Sequence, residues 1–142
     1  MSRMTRDQAV SRLLDGIQQD LQASAAIRAL LEQQFQAALR HRGAELATLA
    51  EALMPQLDAM EGRRQLRVQL VRALFGQQAG MDHLFAALPE TQRGDAAAAW
   101  ERLEALVRDC KSATTRNASL MAEQHSVMQR LLHGEDQTYA PR

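Results

Sequence analysis

The sequence has few of the residues that mark the common classes of sites. A single cysteine, Cys110, excludes an internal disulfide. Aromatic residues make up only 4% of the chain, and strand-forming runs of Val, Ile, Thr and Tyr are missing, which argues against a β-sheet core. The chain also has no apolar leader and no apolar stretch of 18 residues, so neither secretion nor membrane insertion is predicted. A reducing cytoplasm is the expected location.

The charge is balanced, with 17 basic and 17 acidic side chains and a net charge of zero. No long-range field therefore favours a nucleic acid or an anionic lipid surface. The one local concentration of basic residues is Arg63, Arg64, Arg67 and Arg72. Because no aromatic residues are interleaved with these arginines, we interpret them as a solvated helix face and predict no nucleic-acid partner.

Motifs for metal binding, phosphate binding and catalysis are also missing from the sequence. No Glu is followed by His at the third position, as a di-metal helical bundle requires, and no zinc-protease, phosphate-loop or dinucleotide-binding pattern occurs. We interpret Cys110 as a small apolar residue and predict a protein that is not an enzyme and needs no cofactor. A helical metalloenzyme is the least favoured class.

Helical periodicity dominates what is present. Thr5 and Gln8 have the form of a capping box, and apolar residues then recur at steps of three and four, which predicts a first helix over 6–42. A second helix is predicted to follow Gly43, with a kink at Pro55. A short helix should then close one end of the core with three apolar side chains. These are Leu84, Phe85 and Leu88.

The last predicted helix carries the widest apolar stripe. Asp95 is the expected N-cap and Gly134 the expected C-terminal stop, which gives a rod of roughly 55–60 Å. The pattern predicts an all-α protein, an elongated antiparallel bundle of about three long helices with a short connecting helix. We assign residues 1–134 to one domain and 135–142 to a polar tail. Thr114 and Thr115 leave open whether the last helix is continuous.

Two amides interrupt this stripe from within. Asn117 and Gln124 lie on the same seven-residue row as Leu103, Cys110 and Leu131. Either they set the register against a neighbouring helix, or they mark the point where the last helix leaves the core and faces a partner. We favour the second interpretation, because the stripe becomes rich in methionine beyond Asn117, and flexible thioethers suit a surface that adapts to another protein.

Several short motifs follow one another over nearly the whole chain, and none of them is catalytic. They are Leu46-Ala47-Thr48-Leu49 with Leu53, Leu74-Phe75-Gly76, Leu88-Pro89, Trp100 with Leu103, Cys110, Arg116-Asn117-Ala118 with Leu120, Leu131-Leu132 with Gly134, and Thr138-Tyr139. Their order and spacing resemble the FlgN family of flagellar export chaperones. Ala118 departs from the pattern, because a glycine is often seen there.

The resemblance implies a cytoplasmic chaperone that binds hook–filament junction (hook-associated) proteins, prevents their premature self-association and delivers them to the membrane export gate. The family's C-terminal region engages an amphipathic helix of the client. Transferred to this sequence, the expected client contacts are Asn117, Leu120, Met121, Gln124, Val127, Met128, Leu131 and Leu132. Tyr139 is the expected contact for docking at the export apparatus. The alternative is a structural coiled-coil adaptor in which the same stripe seals a homodimer, without a role in export.

Overall fold

The structure is a computed structural model that describes residues 4–139, with side chains through residue 134. Four helices account for nearly all of these residues, and no strand occurs among them. The helices are α1 (Arg6–Leu39), α2 (Gly43–Phe75), α3 (Met81–Ala87) and α4 (Glu90–Tyr139). The predicted all-α class is confirmed. No helix in the described range is long and apolar enough to cross a bilayer.

Both ends of α1 are fixed by specific hydrogen bonds. At the start, the Gln8 backbone N–H donates to Thr5 Oγ1 (3.1 Å) and the Thr5 N–H donates to Gln8 Oε1 (2.9 Å), which confirms the capping box. The helix ends at Leu39, three residues before the predicted end, because His41 adopts a left-handed φ of 54°. The Arg42 N–H then donates to the Ala37 carbonyl and the His41 N–H to the Ala38 carbonyl. This is a Schellman turn with histidine where glycine is usual.

Helix α2 continues through Pro55 as a single element, and α3 closes one end of the core as predicted. Leu84 is fully buried in a cluster with Leu13 and Val71, and Leu88 is also buried. Phe85 packs half-buried against the same cluster. The short helix therefore covers the end of the bundle at which α1 begins and α2 ends.

Both predicted limits of the last helix were wrong. Helix α4 begins at Glu90, five residues before Asp95, and runs through Gly134 to Tyr139. Pro89 sets the start, because its carbonyl accepts the N–H groups of the first turn, and the Arg93 guanidinium binds the exposed carbonyls at the end of α3. Thr114 and Thr115 do not break the helix, since each hydroxyl donates to the carbonyl four residues earlier. The predicted domain boundary at residue 134 stays a prediction.

Helix α1 is the centre of the bundle. It packs against both α2 and α4, whereas α2 and α4 scarcely touch. Consecutive long helices run in opposite directions, so α1 and α4 are parallel. The core is a line of three small clusters along α1. They contain Leu13, Val71 and Leu84 at one end, Ile17, Leu21, Ala99 and Leu103 next, and Ile27, Leu31, Leu53 and Ala113 furthest along α1.

Candidate functional site: the α4 arm and the α2–α4 groove

A ladder of three polar contacts fixes the register of α4 on α1. The Cys110 thiol donates to the Ser24 carbonyl at 3.5 Å, Asn117 Nδ2 to the Leu31 carbonyl at 2.8 Å, and Gln124 Nε2 to the Ala38 carbonyl at 2.9 Å. In each pair the two residues are 86 positions apart, and the donors follow one another at seven-residue steps. A constant offset with this repeat is the register of a parallel coiled coil.

A charged cluster reinforces the middle of this interface. Glu32 accepts hydrogen bonds from Arg116 of α4 (3.0 Å) and from Arg28 of α1 (3.3 Å), and Arg28 also reaches Asp109 (3.0 Å). The Arg116 guanidinium lies 3.8 Å from the centroid of the Phe35 ring. Hydrogen bonds from the two arginines, Arg116 first, lower the pKa of Glu32. Parallel α1 and α4 are thus held by side chains over their shared length.

The interface ends where α1 ends. The next member of the ladder row after Gln124 is Leu131, but α1 stops at Leu39 and has no residue left to face it. From Gln124 to Tyr139 the helix extends roughly 22 Å past its neighbour. We call residues 125–139 the arm. Its apolar side chains are the exposed ones, with Val127 43%, Met128 55%, Leu131 60% and Leu132 54% exposed.

A second concave surface lies on the bundle itself. Because α2 and α4 scarcely touch, they leave a groove of about 980 Å³ with α1 as its floor. Its apolar lining includes Leu57 and Met60 of α2, Trp100 and Val107 of α4, and Ile27 of α1. Leu57 is 44% exposed, so part of this apolar lining is open to solvent. We call this surface the α2–α4 groove.

One end of the groove is held by a buried ion cluster. Asp20 is only 1% exposed and accepts hydrogen bonds from Arg63 and Arg67 of α2. Arg67 also lies over the Trp100 ring, 5.2 Å from its centroid. A single arginine therefore links all three long helices. The prediction of a solvated arginine face was wrong for Arg63 and Arg67, because their counterion comes from another helix, whereas Arg64 is exposed and pairs with Glu61.

A model of one protein family, described as FlgN protein, matches residues 1–134 of the chain. The chain belongs to the FlgN family. This match confirms the family expected from the sequence motifs, and FlgN proteins are flagellar export chaperones, a family that binds flagellar proteins and is not an enzyme family. Among curated proteins and among solved structures, no match to the chain was found.

The eight client contacts expected in this FlgN protein fall into two groups. Asn117 is 1% exposed and bonded to α1, so its amide sets the register and the interpretation that it marks the end of the core is wrong. Gln124 is half-buried and makes the last rung of the ladder. Leu120 and Met121 are half-buried between these rungs. The other four residues lie together on the arm. They are Val127, Met128, Leu131 and Leu132.

Two further expectations for the FlgN chain concern single residues. Burial raises the pKa of the Cys110 thiol, and the thiol donates to a backbone carbonyl, so Cys110 serves packing and register as a neutral group. Tyr139 is the last residue of α4, but the structure describes only its backbone and not its side chain. Its role in docking stays a prediction. Within residues 4–134, no cluster of three or more potential metal ligands occurs.

Proposed function

We propose that this FlgN protein is an export chaperone for hook–filament junction proteins and that its arm holds an amphipathic client helix. The observation that carries the proposal is the overhang of α4. Four large apolar side chains stay between 43% and 60% exposed because α1 ends before it can cover them. An apolar helix face of this kind is a surface for helix-in-groove or helix-to-helix packing with another protein.

The proposed role follows from the physical properties of the arm. The client helix is apolar on one face and would otherwise associate with its own kind, and the arm covers that face in the cytoplasm until delivery to the export gate. No covalent bond is needed, so the client is released when a competing surface binds it. Met128 gives the arm a flexible thioether that adapts to different client side chains. Leu120 and Met121 extend the same face toward the bundle.

Co-purification with a junction protein tests the arm directly. Met128→Asp and Leu131→Asp each place a carboxylate in the proposed interface, which removes apolar burial and adds a desolvation penalty, together about 2–3 kcal/mol. The client should therefore bind roughly 30-fold to 150-fold more weakly. Ser126→Asp is the matched control, because Ser126 is exposed on the opposite face of the arm. Unchanged client binding by the folded Met128→Asp and Leu131→Asp variants would exclude this face.

The same exposed stripe also suits a second copy of the chain, which would make the protein a structural coiled-coil adaptor. Sedimentation equilibrium of the purified protein separates the two functions. In a chaperone, contacts between two copies of the chain are expected to give way to contacts with a client. An adaptor forms a tight dimer that Met128→Asp dissociates. A tight dimer with no affinity for a junction protein would overturn the chaperone proposal.

A further inference from the structure

The α2–α4 groove occupies the position that a fourth helix would fill in a four-helix bundle. Three helices surround it, since α1 forms the floor and α2 and α4 form the walls. Along α4 the lining runs from Trp100 to Thr115, a rise of roughly 22 Å, which is the length of a helix of about four turns. The groove is thus long enough for one amphipathic helix lying between the walls.

The charges along the groove favour one kind of occupant. On the α4 wall, Arg108 and Lys111 are exposed, and neither has an ion-pair partner in the part of the chain that the structure describes. Glu104 is the only carboxylate on that wall. On the α2 wall, Arg64 is already paired with Glu61 at 2.7 Å. Glu104 offsets one of the two cations, so the net unpaired charge of the α4 wall is positive and lies at Arg108 and Lys111.

A second copy of the arm does not complement this edge. Its exposed apolar stretch, residues 127–132, carries Arg130 and no carboxylate, so this stretch brings no counterion to Arg108 and Lys111; the carboxylates of the arm, Glu135 and Asp136, come after it. An apolar helix with carboxylates beside its stripe would instead pair with both groups. Such a pairing steers association and weakens as ionic strength rises.

We propose that the α2–α4 groove is a second docking surface of this chaperone, which takes an amphipathic partner helix of about four turns with carboxylates along the edge that faces Arg108 and Lys111. The inference rests on the proposed chaperone function, since the helix belongs to the client. The arm and the groove then hold two separate helical segments, one beyond the end of α1 and one on the bundle.

Trp100 provides a direct signal, because it is the only tryptophan of the chain and it lines the groove. The probes are two synthetic 16-residue helical peptides with the same leucine stripe and no tryptophan, one flanked by glutamates and the other by lysines. We expect the glutamate peptide to shift the Trp100 emission to shorter wavelength in a saturable way. The lysine peptide should bind at least about tenfold more weakly, and added salt should reduce the difference.

Variants of the full chain locate the binding. Leu57→Asp should weaken binding of the glutamate peptide by about tenfold or more, and Lys111→Glu should weaken it by about threefold to tenfold. Met54→Asp is the matched control, because Met54 is an apolar residue of α2 that is at least as exposed as Leu57 (56% against 44%) and does not line the groove. Met128→Asp in the arm should leave the Trp100 signal unchanged, and this separates failure of the groove from failure of the arm.

Three results would overturn the inference. The first is no Trp100 shift with the glutamate peptide, and the second is equal binding of both peptides. The third is a dimer of the protein alone that Leu57→Asp dissociates and Met54→Asp does not, since a second copy would then be the occupant. If the groove binds the peptide but the arm variants still bind a junction protein, the proposed role of the arm is wrong, whereas the inference about the groove remains supported.

Discussion

Replacing Asn117 by alanine tests whether the polar ladder holds α4 in register on α1. In the folded protein, Asn117 Nδ2 donates to the Leu31 carbonyl and to Gln34 Oε1, both at 2.8 Å. Each such hydrogen bond contributes a net of about 0.5–1.5 kcal/mol. The Leu31 carbonyl is in the middle of α1 and keeps its helical donor, so the variant leaves no orphaned backbone group. We therefore expect a loss of about 2 kcal/mol in the free energy of unfolding.

Urea denaturation followed by circular dichroism measures this loss, and a thermal scan should show a decrease of roughly 5–10 °C in Tm. Ser119→Ala is the control, because Ser119 is exposed on the same turn of α4, and it should stay within about 0.5 kcal/mol of the wild type. Asn117→Leu separates stability from register. Leucine replaces three side-chain hydrogen bonds by apolar burial, the two that Asn117 Nδ2 donates and the one that Asn117 Oδ1 accepts from Arg116 Nε, so this variant should be close to the wild type in stability.

Hydrogen exchange then reports on register. In Asn117→Leu the amides of α4 near Gln124 should exchange faster, because a leucine at this position accepts several alignments of α4 on α1 whereas the amide accepts one. Gln124→Ala should increase exchange in the same region with a stability loss below about 1 kcal/mol, since its side chain is half-buried. If Asn117→Ala retains full stability and Asn117→Leu retains native exchange, the ladder does not set the register.

Three further predictions concern other parts of the bundle. Asp20→Ala leaves two arginines without their buried counterion, so urea denaturation should show a loss of about 3 kcal/mol, and a loss below 1 kcal/mol would contradict the role of this cluster. His41→Gly removes a side chain from the left-handed position at the end of α1 and should raise the free energy of unfolding by about 0.5 kcal/mol; a lower Tm would refute it. The hydrogen bond from Arg64 lowers the pKa of Glu61 to about 2, so its stabilising effect is present above the unfolded pKa of about 4.3 and is lost as the pH falls toward 2. The Glu61→Gln variant should therefore lose less stability than the wild type across this range, and identical acid titrations would contradict the pairing.

Local patterns predicted the helices well where local contacts decide them. The Thr5 capping box is complete within one turn, and it is present as expected. Glycine at position 134 did not end α4, because an interior glycine costs only about 1 kcal/mol and helix propagation beyond it is cooperative. Asp95 does not cap α4, because the helix already begins after Pro89, whose carbonyl accepts the N–H groups of the first turn. The Arg93 side chain also binds the Leu88 carbonyl at the end of α3 and so holds this helix start in place. Helix ends that depend on a neighbouring element are thus the ones that local patterns miss.

The Asn117 row shows why the candidate site was only partly predictable. The sequence reveals that Asn117 and Gln124 share a row with Cys110, but it does not reveal which backbone carbonyls face them. Those carbonyls come from residues 86 positions away, in a helix that happens to run parallel. The sequence also did not reveal that Asp20 is the buried partner of Arg63 and Arg67, or that a groove lies open between α2 and α4. Both features arise from the packing of helices that are distant in sequence.

The length of α1 is therefore what divides α4 into a bound part and a free part. Each seven-residue step of the row has a partner as long as α1 continues, and the Schellman turn at His41 removes the partner of the step after Gln124. The apolar row itself does not change there, since Leu131 continues it. The same stripe is core on one side of this point and exposed surface on the other. The proposed client surface therefore needs no special sequence, only a first helix that ends before the last one.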